Sequence, residues 1–263
     1  MKLKIYQVDA FTDTVFKGNY AAVMLLEEWL PAELMQSIAT ENNVSETAFV
    51  VNTEANVYAI RWFSPLAEID FCGHATLATA FVLFNADSAL EEVVFSAEAV
   101  GRLPVLRGAD GEIAMRFPNR KPDLVEQVPE ALLSSLSVTP DAVYRNTQAY
   151  YAVLPEESMV YDADVDLDQV RKLAPYDLVV TAASSEYDFI SRYFWPVNGG
   201  DEDPVTGSAH TALAPLWAER LGKDSLVAFQ ASSRGGLLNC QLEGDQVILS
   251  GKAVQYLEGY IDV

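Results

Sequence analysis

Arg61 to Phe84 reads RWFSPLAEIDFCGHATLATAFVLF, and this stretch decides the fold. Its opening residues finish a strand that runs from Val57 to Phe63. A polar turn follows, and then Asp70, Cys72, Gly73 and His74 open an apolar helix. Small and apolar residues line that helix on every side from His74 to Phe84, the pattern of a helix buried inside a sheet rather than laid on a surface. Gly73 allows close approach of a ligand to the backbone, and a helix start offers unpaired N–H groups and a dipole that favour an anion. The structural alternative for the same residues is a plain strand-to-helix connection with a partly buried Cys and a hydrogen-bonded His.

A second copy weighs against that alternative. From Arg192 the chain reads RYFWPVNGGDEDPVTGSAHTALAPLWAERL, again an aromatic strand end, a Pro, an acidic turn, a Gly and a helix start of small residues. Gly73-His74-Ala75 aligns with Gly207-Ser208-Ala209, an offset of 134 (207 − 73) in a chain of 263 residues. A repeat at half-length predicts two similar domains, residues 1–117 and 119–263, with both helix starts aimed at one cleft and the last strand able to return to the first domain.

Composition narrows the class. No apolar run reaches the roughly 18 residues of a membrane span, and MKLKIYQVDAF at the amino terminus lacks the apolar core of a signal peptide. Two cysteines, Cys72 and Cys240, make no disulfide framework, so a cytoplasmic enzyme is expected. The formal charge is −21, from 38 acidic and 17 basic residues, which argues against a nucleic-acid partner. An anionic substrate must then be captured by local helix-start donors and the few Arg.

The remaining pattern is strand-rich. Residues 2–10 and 21–26 read as strands and 31–39 as an amphipathic helix stopped by Asn42-Asn43. Ser45-Glu46-Thr47 leads into an apolar strand at 48–51. Further strands are expected at 91–96, 101–106 and 112–117, and Pro118 to Pro122 is the best linker. The second half repeats the layout, with its long helix from Gly207 to Leu221 stopped at Gly222. Short turns between strands, with one long helix per half, predict an α+β fold: two pseudo-symmetric domains, each a curled, mostly antiparallel sheet around a central helix.

The pieces VDAFTDTVFKGNYAAV (8–23), ENNVSETAFV (41–50), RWFSPLAEIDFCGHATLATAFVL (61–83), GGDEDPVTGSAHTAL (199–213) and QASSRGG (230–236) resemble, in order, the PhzF-like phenazine-biosynthesis family. That family shares the diaminopimelate epimerase-like fold. Tyr20 departs from the Pro the family usually has after Gly-Asn. The resemblance implies an isomerase, commonly a homodimer, acting on a small carboxylated metabolite without a cofactor. Its best-known reaction isomerises trans-2,3-dihydro-3-hydroxyanthranilate. It implies Glu46 as the acid/base, with His74, Asp203 and Ser208 matching the family's site, and the helix starts at Gly73, Gly207 and Ser208 holding the substrate carboxylate.

Other chemistries fit less well. Two His without clustered ligand spacing argue against a zinc site, and neither Gly199-Gly200 nor Gly235-Gly236 has a phosphate-loop pattern. Ser208 and His210 are two apart on a helix and point to different faces, which leaves His210 a structural role. A two-thiol racemase or epimerase would use Cys72, but its counterpart in the repeat is Thr206. A binding protein that has lost turnover is the third possibility.

Overall fold

The computed structural model describes residues 1–197 and 200–263; Asn198 and Gly199, the latter the first residue of the matched 199–213 stretch, lie outside the described residues. The chain divides into two compact units, one of Met1–Arg116 with Ser250–Val263, the other of Phe117–Leu249.

The first unit contains β1 (Lys2–Ala10), β2 (Asn19–Leu26), α1 (Ala32–Asn42), β3 (Glu46–Glu54), β4 (Val57–Phe63), β5 (Glu68–Ile69), α2 (Gly73–Ala86), β6 (Glu92–Ala97), β7 (Gly101–Arg107) and most of β8 (Ile113–Pro118). The second contains β9 (Asp123–Leu124), α3 (Glu130–Ser135), β10 (Ala142–Arg145), β11 (Ala149–Val153), α4 (Glu157–Tyr161), α5 (Leu167–Arg171), β12 (Asp177–Ala183), β13 (Phe189–Phe194), β14 (Glu202–Asp203), α6 (Gly207–Leu221), β15 (Ser225–Gln230), β16 (Gly236–Glu243) and most of β17 (Gln246–Gly251). The final strand, β18 (Ala253–Asp262), belongs to the first unit because it pairs antiparallel with β1 along that strand's whole length.

Both units use one pairing scheme. In the first, β1 pairs antiparallel with β2, β2 parallel with β3, β3 antiparallel with β4, β4 parallel with β6, and β6 antiparallel with β7. In the second, β10, β11, β12, β13, β15 and β16 repeat the same sequence of senses. Each parallel pair is bridged by helix, as a crossover requires: α1 and α2 in one unit, the α4–α5 pair and α6 in the other. The architecture is α+β, mostly antiparallel, with the long helix of each unit against its own sheet. Helix α2 lies on β1, β2 and β3, and its residues from His74 to Ala80 are all buried, as are Val82, Leu83 and Phe84. Among the described residues no helix is long and apolar enough to cross a membrane.

Helix α6 shows how such an interior is made. Trp217 stacks on Phe189 with ring centroids 5.8 Å apart and 7° between planes, and its Nε1 donates to Thr181 Oγ1 at 3.0 Å. His210, fully buried, lies 2.9 Å by its Nδ1 from the carbonyl of Thr206, which fixes the ring proton on Nδ1. Burial lowers its proton affinity from 6.5 to about 4. The unfolded chain therefore binds the proton more readily than the folded one, and stability must fall as pH drops from about 6.5 towards 4. Urea unfolding at pH 7 and pH 4.5 should show wild type losing about 2 kcal/mol more than His210→Gln, whose side chain does not titrate. Equal losses in both proteins would mean that His210 is not held neutral.

Candidate active site

Glu46 owes its position to three local devices. Helix α1 ends with Asn43 in the left-handed conformation, φ 48°, and its N–H donates to Ala39 O, which stops the helix and turns the chain. Strand β3 then begins at Glu46 itself, two residues before the apolar run expected from sequence. Its parallel pairing with β2 sets Ala21 opposite Glu46. Asn19, at the start of β2, is brought in by Gly18, whose φ of +63° and closeness to Ala10 O, 2.1 Å from where a Cβ would sit, leave room only for glycine.

These strands deliver a line of polar groups to the start of α2. Ser45 Oγ donates to Asn19 Oδ1 at 3.0 Å, and Asn19 Nδ2 lies 3.2 Å from His74 Nδ1. An amide NH2 only donates, so His74 Nδ1 is the acceptor and the ring proton sits on Nε2. That nitrogen is 2.9 Å from Glu46 Oε2. Cys72 Sγ completes the group, 3.4 Å from His74 Nδ1 and 3.8 Å from Nε2. Glu46, Cys72 and His74 are each only 6% exposed, and their donor atoms all lie within 4.8 Å of one another.

Burial singles out Glu46 among the acids. Of the acidic residues described, Asp9, Glu46 and Asp177 are buried. Asp9 accepts the N–H of Phe16 at 2.8 Å, and Asp177 accepts the hydroxyl of Tyr193 at 2.6 Å. Glu46 Oε2, despite its nearness to the imidazole, has no donor aligned with it among the described residues. A buried carboxylate oxygen left in that state costs stability.

The second unit holds the other expected residues on its own network. Thr206 precedes α6 without capping it; its hydroxyl donates instead to Asp203 Oδ2 at 2.5 Å. Gln230, 1% exposed, accepts Thr206 N–H at 2.8 Å and donates to Asp203 O at 2.7 Å, tying the acidic turn to the helix start. Ser208 Oγ accepts from Gln148 Nε2 at 2.8 Å, and the same amide reaches Tyr193 OH at 2.9 Å. Helix α2 likewise has no capping side chain at Cys72. Gly73 and Gly207 are the first residues of α2 and α6, where backbone N–H groups have no intrahelical acceptor.

The fold thus joins Glu46 to His74 and Asp203 to the turn before Ser208, and it leaves Asp70 outside. Asp70, grouped with Cys72 and His74 in the sequence reading, is exposed. The following residue, Phe71, packs edge-on against Trp62 at 5.5 Å, which turns residue 70 outwards. Asn19, Ser45, Gln148 and Gln230 went unassigned in the sequence; Asn19, Ser45 and Gln230 lie in matched motifs, but only the fold shows what each one touches.

The tautomers can be checked directly, because the chain has only two His. In nitrogen-15 spectra near neutral pH, His74 should show the proton on Nε2 and His210 the proton on Nδ1. Asn19→Asp, whose carboxylate only accepts, should move the His74 proton to Nδ1 and leave His210 unchanged. A wild-type His74 that already carries its proton on Nδ1 would contradict the relay.

Comparison with known proteins identifies the chain's relatives. An uncharacterized isomerase of Pseudomonas aeruginosa is 46% identical over 259 residues, covering 98% of each chain. The crystal structure of a PhzF-family phenazine biosynthesis protein from Enterococcus faecalis, 41% identical, superposes over the full length of both chains with a TM-score of 0.95. A hydroxyproline epimerase from Agrobacterium vitis, at 10% identity and a TM-score of 0.62, shares the fold alone, covering 99% of this chain. The family model described as phenazine biosynthesis-like protein matches residues 8–259, and the chain belongs to that PhzC-PhzF family.

Proposed function

We propose that this protein is a cofactor-independent isomerase that moves a proton between carbons of a small carboxylated metabolite, with Glu46 as base and then acid. The observation that carries the reading is the buried Glu46 oxygen, 2.9 Å from His74 Nε2 and without an aligned donor among the described residues. Isomerase names borne by relatives from Pseudomonas aeruginosa and Halalkalibacterium halodurans support the reaction class.

The chemistry follows from the groups. A carbon beside a carbonyl or conjugated system gives up its proton only to a positioned base, with the charge stabilised as it forms. Glu46 takes that proton, the C–H electron pair enters the conjugated system, and the carboxyl group so formed returns the proton at another carbon. No electron leaves the substrate, so the balance needs no redox partner. His74 and Asp203 orient the substrate's amino or hydroxyl group. The first-turn N–H groups at Gly73, Gly207 and Ser208 hold its carboxylate, a task that falls to local donors in a chain of charge −21. The working unit is a homodimer of two such chains.

One contact favours a second reading. Cys72 Sγ lies 3.4 Å from His74 Nδ1, close enough for a thiol used as base by a racemase or epimerase. Such an enzyme needs a second thiol opposite the first, and the equivalent position in the repeat is Thr206, whose hydroxyl is engaged with Asp203. The one-base mechanism is therefore preferred.

Deuterium exchange separates the readings. Carboxylated metabolites, trans-2,3-dihydro-3-hydroxyanthranilate among them, are incubated in deuterated water with wild type, Glu46→Gln and Cys72→Ser, and label at carbon is followed by NMR. The one-base mechanism predicts turnover lost by at least about 100-fold in Glu46→Gln, binding retained, and Cys72→Ser still active. An active Glu46→Gln enzyme ends this mechanism; an inactive Cys72→Ser with inverted product stereochemistry would favour the racemase.

A further inference from the structure

We infer that Gln148 is a positioning residue: with Tyr193 and Asp177 behind it, its amide keeps the Ser208 proton off the protein's own network, so that Ser208 meets an acceptor oxygen of a carboxylate or carbonyl as a donor. The donor order rests on the second unit alone; only its use on a substrate rests on the function proposed above.

The order starts from one charge. Asp177 is buried, and an ionised carboxylate only accepts, so the Tyr193 hydroxyl 2.6 Å from its Oδ2 is the donor. Burial, and then that carboxylate, hold the Tyr193 phenol well above its ordinary range, which keeps the proton in place. With its one proton committed, Tyr193 accepts from the Gln148 amide at 2.9 Å, which identifies the Gln148 atom as Nε2. The same nitrogen is 2.8 Å from Ser208 Oγ, so Ser208 accepts there as well. The hydroxyl has one proton of its own, and among the described residues no acceptor receives it. An amide turned the other way would take up that proton with its oxygen and leave Ser208 only lone pairs to offer. The backbone holds Gln148 in place: Asn146 Oδ1 accepts the N–H groups of Gln148 at 2.8 Å and Ala149 at 3.1 Å, and Gln148 O accepts the Asp177 N–H at 3.1 Å.

The repeat supports the assignment. Glu46 opens β3 opposite Ala21 in the first unit, and Asp177 opens β12 opposite Ala149 in the second. Asn19 starts β2 and Gln148 stands just ahead of β11. Each gives an amide proton to the second residue of its unit's long helix, His74 or Ser208. In both, that donation leaves the helix residue's own proton on its other side, on Nε2 of His74 and on the hydroxyl of Ser208. The difference is Tyr193, which engages Asp177 and turns its charge into the order of a chain.

Neutron diffraction on crystals of the full chain, exchanged into deuterated solvent, reads the order directly and needs no variant. The expected map puts the Tyr193 deuteron on the line to Asp177, the Gln148 amide deuterons towards Tyr193 and Ser208, and the Ser208 deuteron away from Gln148. A Ser208 deuteron aimed at Gln148, or a deuteron on Asp177, overturns the inference whatever Glu46→Gln does to turnover. The use on a ligand is read with benzoate, a carboxylate with no hydrogen to donate, through the backbone amide signals of Gly207 and Ser208 at about pH 8. Glu at position 148 only accepts and so captures the Ser208 proton. Ser208→Ala and Gln148→Glu should each weaken benzoate by at least about 10-fold, as loss of a hydrogen bond to a charged group does. In the Ser208→Ala background Gln148→Glu should cost less than about 3-fold, because no proton is left to capture. Near-ultraviolet circular dichroism establishes that each variant is folded. A tenfold loss that persists in that background would be charge repulsion, and benzoate that shifts neither amide would leave Ser208 with no acceptor to meet; each of these results overturns the role in binding.

Discussion

The parallel pairing of β2 with β3 is the constraint on which the rest of the site depends. It sets Ala21 opposite Glu46, with Asn19 at the beginning of one strand and Ser45 just ahead of the other. Side chains alternate across a strand, so a slip of one residue would turn Glu46 to the opposite face of the sheet and away from His74. Everything at the start of α2 follows from that register: Ser45 fixes the Asn19 amide, Asn19 fixes the His74 tautomer, and His74 sets its Nε2 2.9 Å from Glu46 Oε2. A parallel pair needs a crossover, and α1 with its left-handed Asn43 stop supplies one that ends just before Glu46.

The regular elements were legible because their patterns are local. Helix α6 begins at Gly207 and ends at Leu221 before a left-handed Gly222, where the sequence put both signals, and β4 spans Val57 to Phe63 as read. The five-residue helix α4 was missed, being too short to show a period. Strand β18 runs on to Asp262 because it follows β1 for the whole of that strand.

Of the site, the residues inside conspicuous motifs were found and their supports were not. Asn19 reads as a turn residue after Gly18, and nothing in the chain says that it meets a His 55 positions later. Gln148 and Ser208 meet across 60 positions, and Gln230 reaches back 24 to Thr206. Hydrogen bonds between elements leave no periodic trace. The opposite error occurred at Asp70, where nearness in sequence to Cys72 stood in for nearness in space. The surplus of acidic residues, by contrast, is largely a matter of surface: two of the three buried carboxylates are held by structural donors, and Glu46 is the one whose setting asks for a chemical explanation.

The central claim is that Glu46 meets the carbon that loses its proton. A crystal structure with a turned-over carboxylated substrate, or an unreactive analogue, tests it most directly. The account predicts the reacting carbon within about 3.5 Å of a Glu46 carboxylate oxygen, the span of a near-attack geometry. A ligand bound with its reacting carbon beyond reach of Glu46 would contradict it.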